Sequence, residues 1–170
     1  MQYLGSKSRH SKELIPILQK FIISQSINTY IEPFVGGANV IDKIQCNNKI
    51  GYDINEYLIA ILNQAKENTA VFPQTISQEE YYRVKCGMSN YPKWYVGLVG
   101  FCGSYSAKFF GGYAKGKDTR DRQNEAIRNI VNQSKNLQDV EFICGDFRDI
   151  SLKEKSLVYC DPPYKDTTKY

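Results

Sequence analysis

Four short runs of β-branched and aromatic residues constrain this chain more than anything else in it. They cover residues 29–34, 49–53, 140–144 and 156–160, and each is bounded by a glycine, a proline or an acid. That is the pattern of buried strands stopped by turn residues. Between the first two runs lies a short helical stretch, about residues 38–44. After the second, residues 56–66 place Leu58, Ile61, Leu62 and Ala65 on one helical face. Strand, helix, strand, helix predicts an α/β protein with a parallel sheet. Ahead of the first run, Leu14, Ile17, Leu18, Phe21 and Ile22 fall at helical offsets. They predict a helix that packs its apolar face on the core, with Ser11 as its cap. Pro16 marks a kink or a later start.

The segment 69–136 has another character. It holds Pro73, Pro92, the Gly111-Gly112 pair and many aromatics. Between Tyr81 and Ile130 stand nine Lys and Arg against three acids, a local net charge of +6 in a chain whose total is +4. A uniformly basic coat is therefore excluded, and an anionic partner has to be met by a patch in this segment. The chain divides into 1–68 and 137–170, two parts of one α/β domain, and an inserted, mainly helical region at 69–136. With 170 residues, 42% hydrophobic and 24% charged, this is an ordinary globular balance and not a disordered one. No apolar stretch is long enough to span a bilayer, and the polar first residues lack a signal-peptide core. Five cysteines without C-x-x-C spacing, and His10 as the single histidine, point away from disulfides and a metal site. A cytoplasmic protein is expected.

Three stretches can carry chemistry, and all follow predicted strands. Glu32-Pro33-Phe34-Val35-Gly36-Gly37-Ala38-Asn39 offers small residues where a ligand can approach the backbone, and a helix N-terminus with free N–H groups. Alone, such a pair of glycines is more often a plain turn, and the G-x-G-x-x-G dinucleotide fingerprint is absent. Asp53 ends the second run, where an acid can accept hydrogen bonds from ribose hydroxyls. It or Asn55 could equally cap the following helix. Cys160-Asp161-Pro162-Pro163-Tyr164 follows the fourth run. Two prolines cannot donate, so the surface is acceptor-only, suited to an exocyclic amine, and Tyr164 adds a flat face.

Together these pieces resemble the Dam-like, D12-class S-adenosylmethionine-dependent DNA adenine-N6 methyltransferases, closest to phage-encoded members. The matching residues are Tyr3-Leu4-Gly5-Ser6-Lys7, Glu32-Pro33-Phe34-Val35-Gly36-Gly37, Asp53, Gly145-Asp146-Phe147 and Asp161-Pro162-Pro163-Tyr164, in the family's order. The resemblance implies a Rossmann-like methyltransferase sheet, here stopping after the fourth strand, with the insertion as its DNA-recognition region. It implies that Tyr3 and Lys7 sit near the methionine end of the cofactor. Phe34, Gly36 and Gly37 would line its loop, Asp53 would bind the ribose, and Asp146 and Phe147 would meet its adenine. Asp161 and the Pro162 carbonyl would hold the target N6, beside Pro163, with Tyr164 stacking on the base. Where the family has a second glycine in the first loop, this chain has Ala38.

The expected partner is double-stranded DNA, from which the base must be flipped out. Its phosphates would meet Lys108, Lys115, Lys117, Arg120 and Arg122, interleaved with Phe109, Phe110 and Tyr113. The family's sheet continues beyond a fourth strand, so that strand is expected to be an edge, open to self-association or a partner chain. Two alternatives stand beside the adenine methyltransferase. One is a catalytically incomplete DNA- or cofactor-binding fragment, and the other is a methyltransferase for cytosine N4 or another amine.

Overall fold

A computed structural model describes residues 1–3, 7, 10–115 and 120–163. Helix α1, Ser11–Ser24, precedes strand β1, Thr29–Glu32, and strand β2, Asn48–Asp53. Helix α2, Glu56–Glu67, follows, then α3, Gln78–Cys86, α4, Lys93–Cys102, and α5, Arg122–Ser134. Strands β3, Val140–Cys144, and β4, Ser156–Val158, close the order. The sheet is parallel throughout, with strand order β3-β2-β1-β4. This is the α/β sheet expected from the sequence.

β1 is buried at every position, as an inner parallel strand covered on both faces must be. β4 pairs with β1, Thr29 opposite Ser156 and Ile31 opposite Val158. Among the described residues it has no neighbour on its other side, and its residues are only half-buried.

α2 starts where Asn55 accepts from the N–H groups of Tyr57 and Leu58, both at 3.1 Å. It puts Leu58, Ile61 and Leu62 wholly inside, each stabilising the fold by roughly 1.5–3 kcal/mol. α2 packs on β2 and β3, and α4 lies along α2. That approach is close: a Cβ on Gly97 would stand 2.3 Å from the Tyr57 carbonyl oxygen. Phe109 stacks on Tyr57 at 5.2 Å.

Three expectations need correction. The stretch 38–44 is not a helix; Ala38 closes a turn onto the Val35 carbonyl, and only Ile41–Lys43 makes a 3-10 turn. Val40, Ile41 and Ile44 are buried there by a loop and not by a helical face. Ser11 does not cap α1. It is the first helical residue, His10 precedes it, and Pro16 lies within the helix. Finally, only part of the apolar face of α1 meets the core. Leu18 and Ile22 are buried, while Ile17 and Phe21 are 55% and 54% exposed, because no described residue covers that side. Among the described residues no helix is long and apolar enough to cross a membrane.

Candidate active site at the strand tips

Parallel sheets present their ligand sites outside the carboxyl ends of the strands, at the point where strand order reverses. Here that point lies between β1 and β4. The segments that follow all four strands gather at this end, in the order Asp146, Asp53, Gly36-Gly37, Asp161.

The turn after β1 is built by its backbone. Val35 donates to the Tyr52 carbonyl at 2.8 Å, which lays the turn over the end of β2. Gly36 takes φ +50° and Ala38 takes φ +56°, the left-handed region that side chains disfavour. The family's glycine preference at Ala38 thus has a conformational cause. The ring of Tyr3 packs on this turn, 3.1 Å from where a Gly36 Cβ would be, and meets Phe101 of α4 at 5.6 Å.

The expected helix N-terminus at this loop is absent, so its donors are turn amides. One of them, the Gly36 N–H, donates to Asp53 Oδ2 at 3.2 Å, and the Asn55 N–H donates to Oδ1 at 3.0 Å. Asn55, not Asp53, caps α2. Burial raises the Asp53 pKa, and these N–H groups oppose the rise. A carboxylate has about four acceptor positions, so capacity remains for a ligand hydroxyl.

The Gly145 N–H donates to the Asp53 carbonyl at 3.0 Å, which joins the segment after β3 to the same end. Phe147 tilts against Phe34, ring centroids 5.1 Å apart. Asp146 is gripped by Arg148, at 2.9 Å from Nε and 2.5 Å from Nη2. Those bonds hold its pKa down to about 2, so it is an ionised acceptor.

After β4, the Tyr159 N–H donates to the Ile31 carbonyl at 2.9 Å and carries the sheet one residue further. Asp161 then turns into the switch point, where Lys7 Nζ stands 2.8 Å from its Oδ1. Pro162 and Pro163 follow, exposed. Leu4, Gly5, Ser6, Lys117 and Tyr164 lie outside the described residues.

Two buried residues at this site escaped the sequence reading. Glu32, at the tip of β1, is 3% exposed and accepts the Tyr30 hydroxyl at 2.9 Å. Burial pushes its carboxyl up to about 8; the negative charges of Asp42 and Asp161 add to that, and the Tyr30 bond opposes it. The signal was an acid inside a β-branched run. Gln133 of α5 reaches across to the β1 turn: its Nε2 lies 3.1 Å from the Gly37 carbonyl, 2.9 Å from that of Ala38 and 3.0 Å from Asp42 Oδ2. Its Oε1 accepts from the Met1 amino group. A glutamine on a helix carries no sequence signal for that role.

The basic region differs from expectation in its aromatics. Phe109, Phe110 and Tyr113 do not alternate with the lysines on a surface. Phe109 packs on Tyr57 and Phe101, Phe110 is 9% exposed against Tyr81, and the Tyr113 hydroxyl donates to the Ile76 carbonyl. Rings of that size gain more by filling the space between helices than by facing water. Lys108 and Lys115 are exposed, Arg122 is half-buried at the start of α5, and Arg120 forks onto Glu125 at 2.9–3.2 Å.

A family model described as D12 class N6 adenine-specific DNA methyltransferase matches residues 3–170. The chain belongs to this family. Among its relatives is the type II methyltransferase M.FokI of Planomicrobium okeanokoites, 24% identical over 192 residues. Another is the type II methyltransferase M.MjaIII of Methanocaldococcus jannaschii, 26% identical over 204 residues. Each alignment covers 99% of this chain, but only 29% of the first relative and 70% of the second.

Proposed function

We propose that this D12-class chain transfers a methyl group from S-adenosylmethionine to the N6 amine of adenine in double-stranded DNA. One observation carries the reading. The Gly36-Gly37 turn, Asp53 and Asp161 share one end of one parallel sheet and flank its switch point.

The residues present fit the cofactor. The left-handed glycine lets the Tyr3 ring close over the turn as one wall of a cradle, and Asp53 keeps acceptor capacity for ribose hydroxyls. Phe34, Gly36 and Gly37 would line that cradle, with Tyr3 and Lys7 toward the methionine end. Asp146 would accept from the cofactor's adenine amine, with Phe147 beside the ring. When bound, S-adenosylmethionine supplies an electrophilic methyl on a sulfonium.

The target nitrogen is a poor nucleophile, because its lone pair is delocalised into the purine. Asp161 and the Pro162 carbonyl oxygen are acceptors, and Pro162 and Pro163 have no N–H to interfere. Accepting the two N6 protons favours a tetrahedral nitrogen with its lone pair free, and stabilises positive charge as it develops. Methyl transfer would form a carbon–nitrogen bond as the sulfonium's carbon–sulfur bond breaks, leaving a neutral thioether, and the proton given up by N6 would pass to the Asp161 carboxylate and on to solvent. Holding the reactants in line supplies much of the acceleration. Tyr164 would stack on the flipped base, worth roughly 1–3 kcal/mol. Lys108, Lys115, Lys117, Arg120 and Arg122 would meet phosphates.

The test is transfer of labelled methyl to unmethylated DNA, followed by mass spectrometry of the digested nucleosides. N6-methyl-2′-deoxyadenosine is expected, with Asp161→Ala slower by about 10²-fold or more. Label on cytosine, or equal labelling by Asp161→Ala, overturns the reading.

A further inference from the structure

The strongest unexplained contact at the switch point is the pair of Lys7 and Asp161. Nζ and Oδ1 are 2.8 Å apart, and the two side chains are 24% and 23% exposed. Asp161 is the carboxylate to which the proposed function gives the target amine. An ammonium is a charged donor with three protons, and charge-assisted hydrogen bonds are roughly twice as strong as neutral ones. A carboxylate has about four acceptor positions, so Asp161 keeps room for a second donor, but with its charge already matched by Lys7 it is a weaker acceptor for a neutral adenine amine. An anion that took over the lysine would restore Asp161 as a full acceptor.

The position of Lys7 limits which anion that is. Tyr3, four residues earlier, lies on the Gly36-Gly37 turn, and Lys7 itself pairs with Asp161 after β4. Its charge is thus tied in sequence to the turn that would cradle the methyl donor, and in space to the carboxylate that would hold the base. A lysine ammonium on a flexible stem can exchange partners. The methyl donor ends in an amino-acid carboxylate.

We propose that Lys7 is a positioning residue that couples the two ligands: the carboxylate of the methyl donor draws it from Asp161, which leaves Asp161 a stronger acceptor for the target amine. The base is therefore held more tightly once the donor is bound. This rests on the function proposed above. Because coupling is reciprocal, the Lys7–Asp161 bond must also oppose donor binding, and this is measurable without DNA.

The experiment is calorimetric titration of the purified chain with S-adenosylhomocysteine, which has the carboxylate, and with methylthioadenosine, which lacks it. Lys7→Met should weaken S-adenosylhomocysteine and leave methylthioadenosine within twofold. Asp161→Asn should release Lys7 and tighten S-adenosylhomocysteine by about tenfold, within the usual range of such couplings. In the Lys7→Met background the same change should do nothing. Asp161→Ser repeats the loss of charge with a different shape, and thermal melting checks that each variant is folded.

Equal tightening in both backgrounds would mean that Asp161 merely repels the ligand's carboxylate, and would overturn the coupling. Unchanged affinity in Asp161→Asn and Asp161→Ser would overturn it too, while leaving the methyltransferase reading intact. Failure of the wild-type chain to bind either ligand would overturn both.

Discussion

Replacing Gln133 by leucine tests whether α5 braces the turn after β1. The Gln133 amide has two protons and faces three acceptors, the carbonyls of Gly37 and Ala38 and the Asp42 carboxylate. It therefore makes two full bonds at a time, shared among them. Leucine has nearly the same volume, so packing changes little. What is lost is three buried hydrogen bonds, two from the amide and one that Oε1 accepts from the Met1 amino group, which keeps the Gly37 carbonyl and Asn39 as partners; the acceptors left behind cost about 1–3 kcal/mol each. We expect a destabilisation of about 2–4 kcal/mol, which in a chain of this size lowers Tm by about 5–15 °C. The control is Gln138→Leu. Gln138 also donates to two carbonyls, Lys66 and Ser134, but it is exposed, so water can replace it; its effect should stay within about 0.5 kcal/mol. Thermal melts followed by circular dichroism measure both variants. A Gln133→Leu variant that melts within about 2 °C of Gln138→Leu would refute the brace.

Glu32 makes stability depend on pH with a definite sign. Its ordinary value is 4.5 and its folded value about 8, so between these the folded chain holds a proton that the unfolded chain has lost. Stability from this group falls as pH rises through that window. Glu32→Gln should flatten the decline in urea midpoints between pH 5 and pH 8, and an unaltered slope would contradict it. At Ala38, glycine relieves about 1–2 kcal/mol of left-handed strain. It also gives up a buried methyl and adds unfolded-state freedom, together of similar size, so Ala38→Gly should be neutral to about 1 kcal/mol. Ala38→Val should cost about 2 kcal/mol or more, read from the same urea titrations. Lys108→Glu with Lys115→Glu should weaken DNA binding for every sequence. It should also reduce the slope of log K against log salt by about 2; a filter-binding series with an unchanged slope would count against these contacts.

The parts of the fold legible in the sequence were those governed by local chemistry. A β-branched run stopped by an acid describes β2 fully, down to Asp53 at its end. The Leu58, Ile61, Leu62 and Ala65 stripe describes α2. The reading failed where partners are remote. Val40, Ile41 and Ile44 have helical spacing, yet they line a loop whose shape is set by Gln133, about ninety residues later. Phe109 and Phe110 stand among glycines and lysines and so look like a nucleic-acid surface. Their actual neighbours, Tyr57 and Tyr81, belong to α2 and α3. The candidate site was legible as motifs at strand ends. The pairing of Lys7 with Asp161 was not, because 154 residues separate the two in the sequence.

The contact between α4 and α2 bears on any attempt to retarget this protein. A chimera that exchanged 69–136 for a relative's segment would remove Gly97, where α4 touches the Tyr57 backbone, and Phe109, which stacks on the Tyr57 ring. α2 would then lose the helix packed along it. A graft confined to the exposed side chains of Tyr105, Ser106 and Lys108 leaves the weld untouched. New surface side chains would therefore have to be fitted there, on a scaffold that keeps its own α4 and α5.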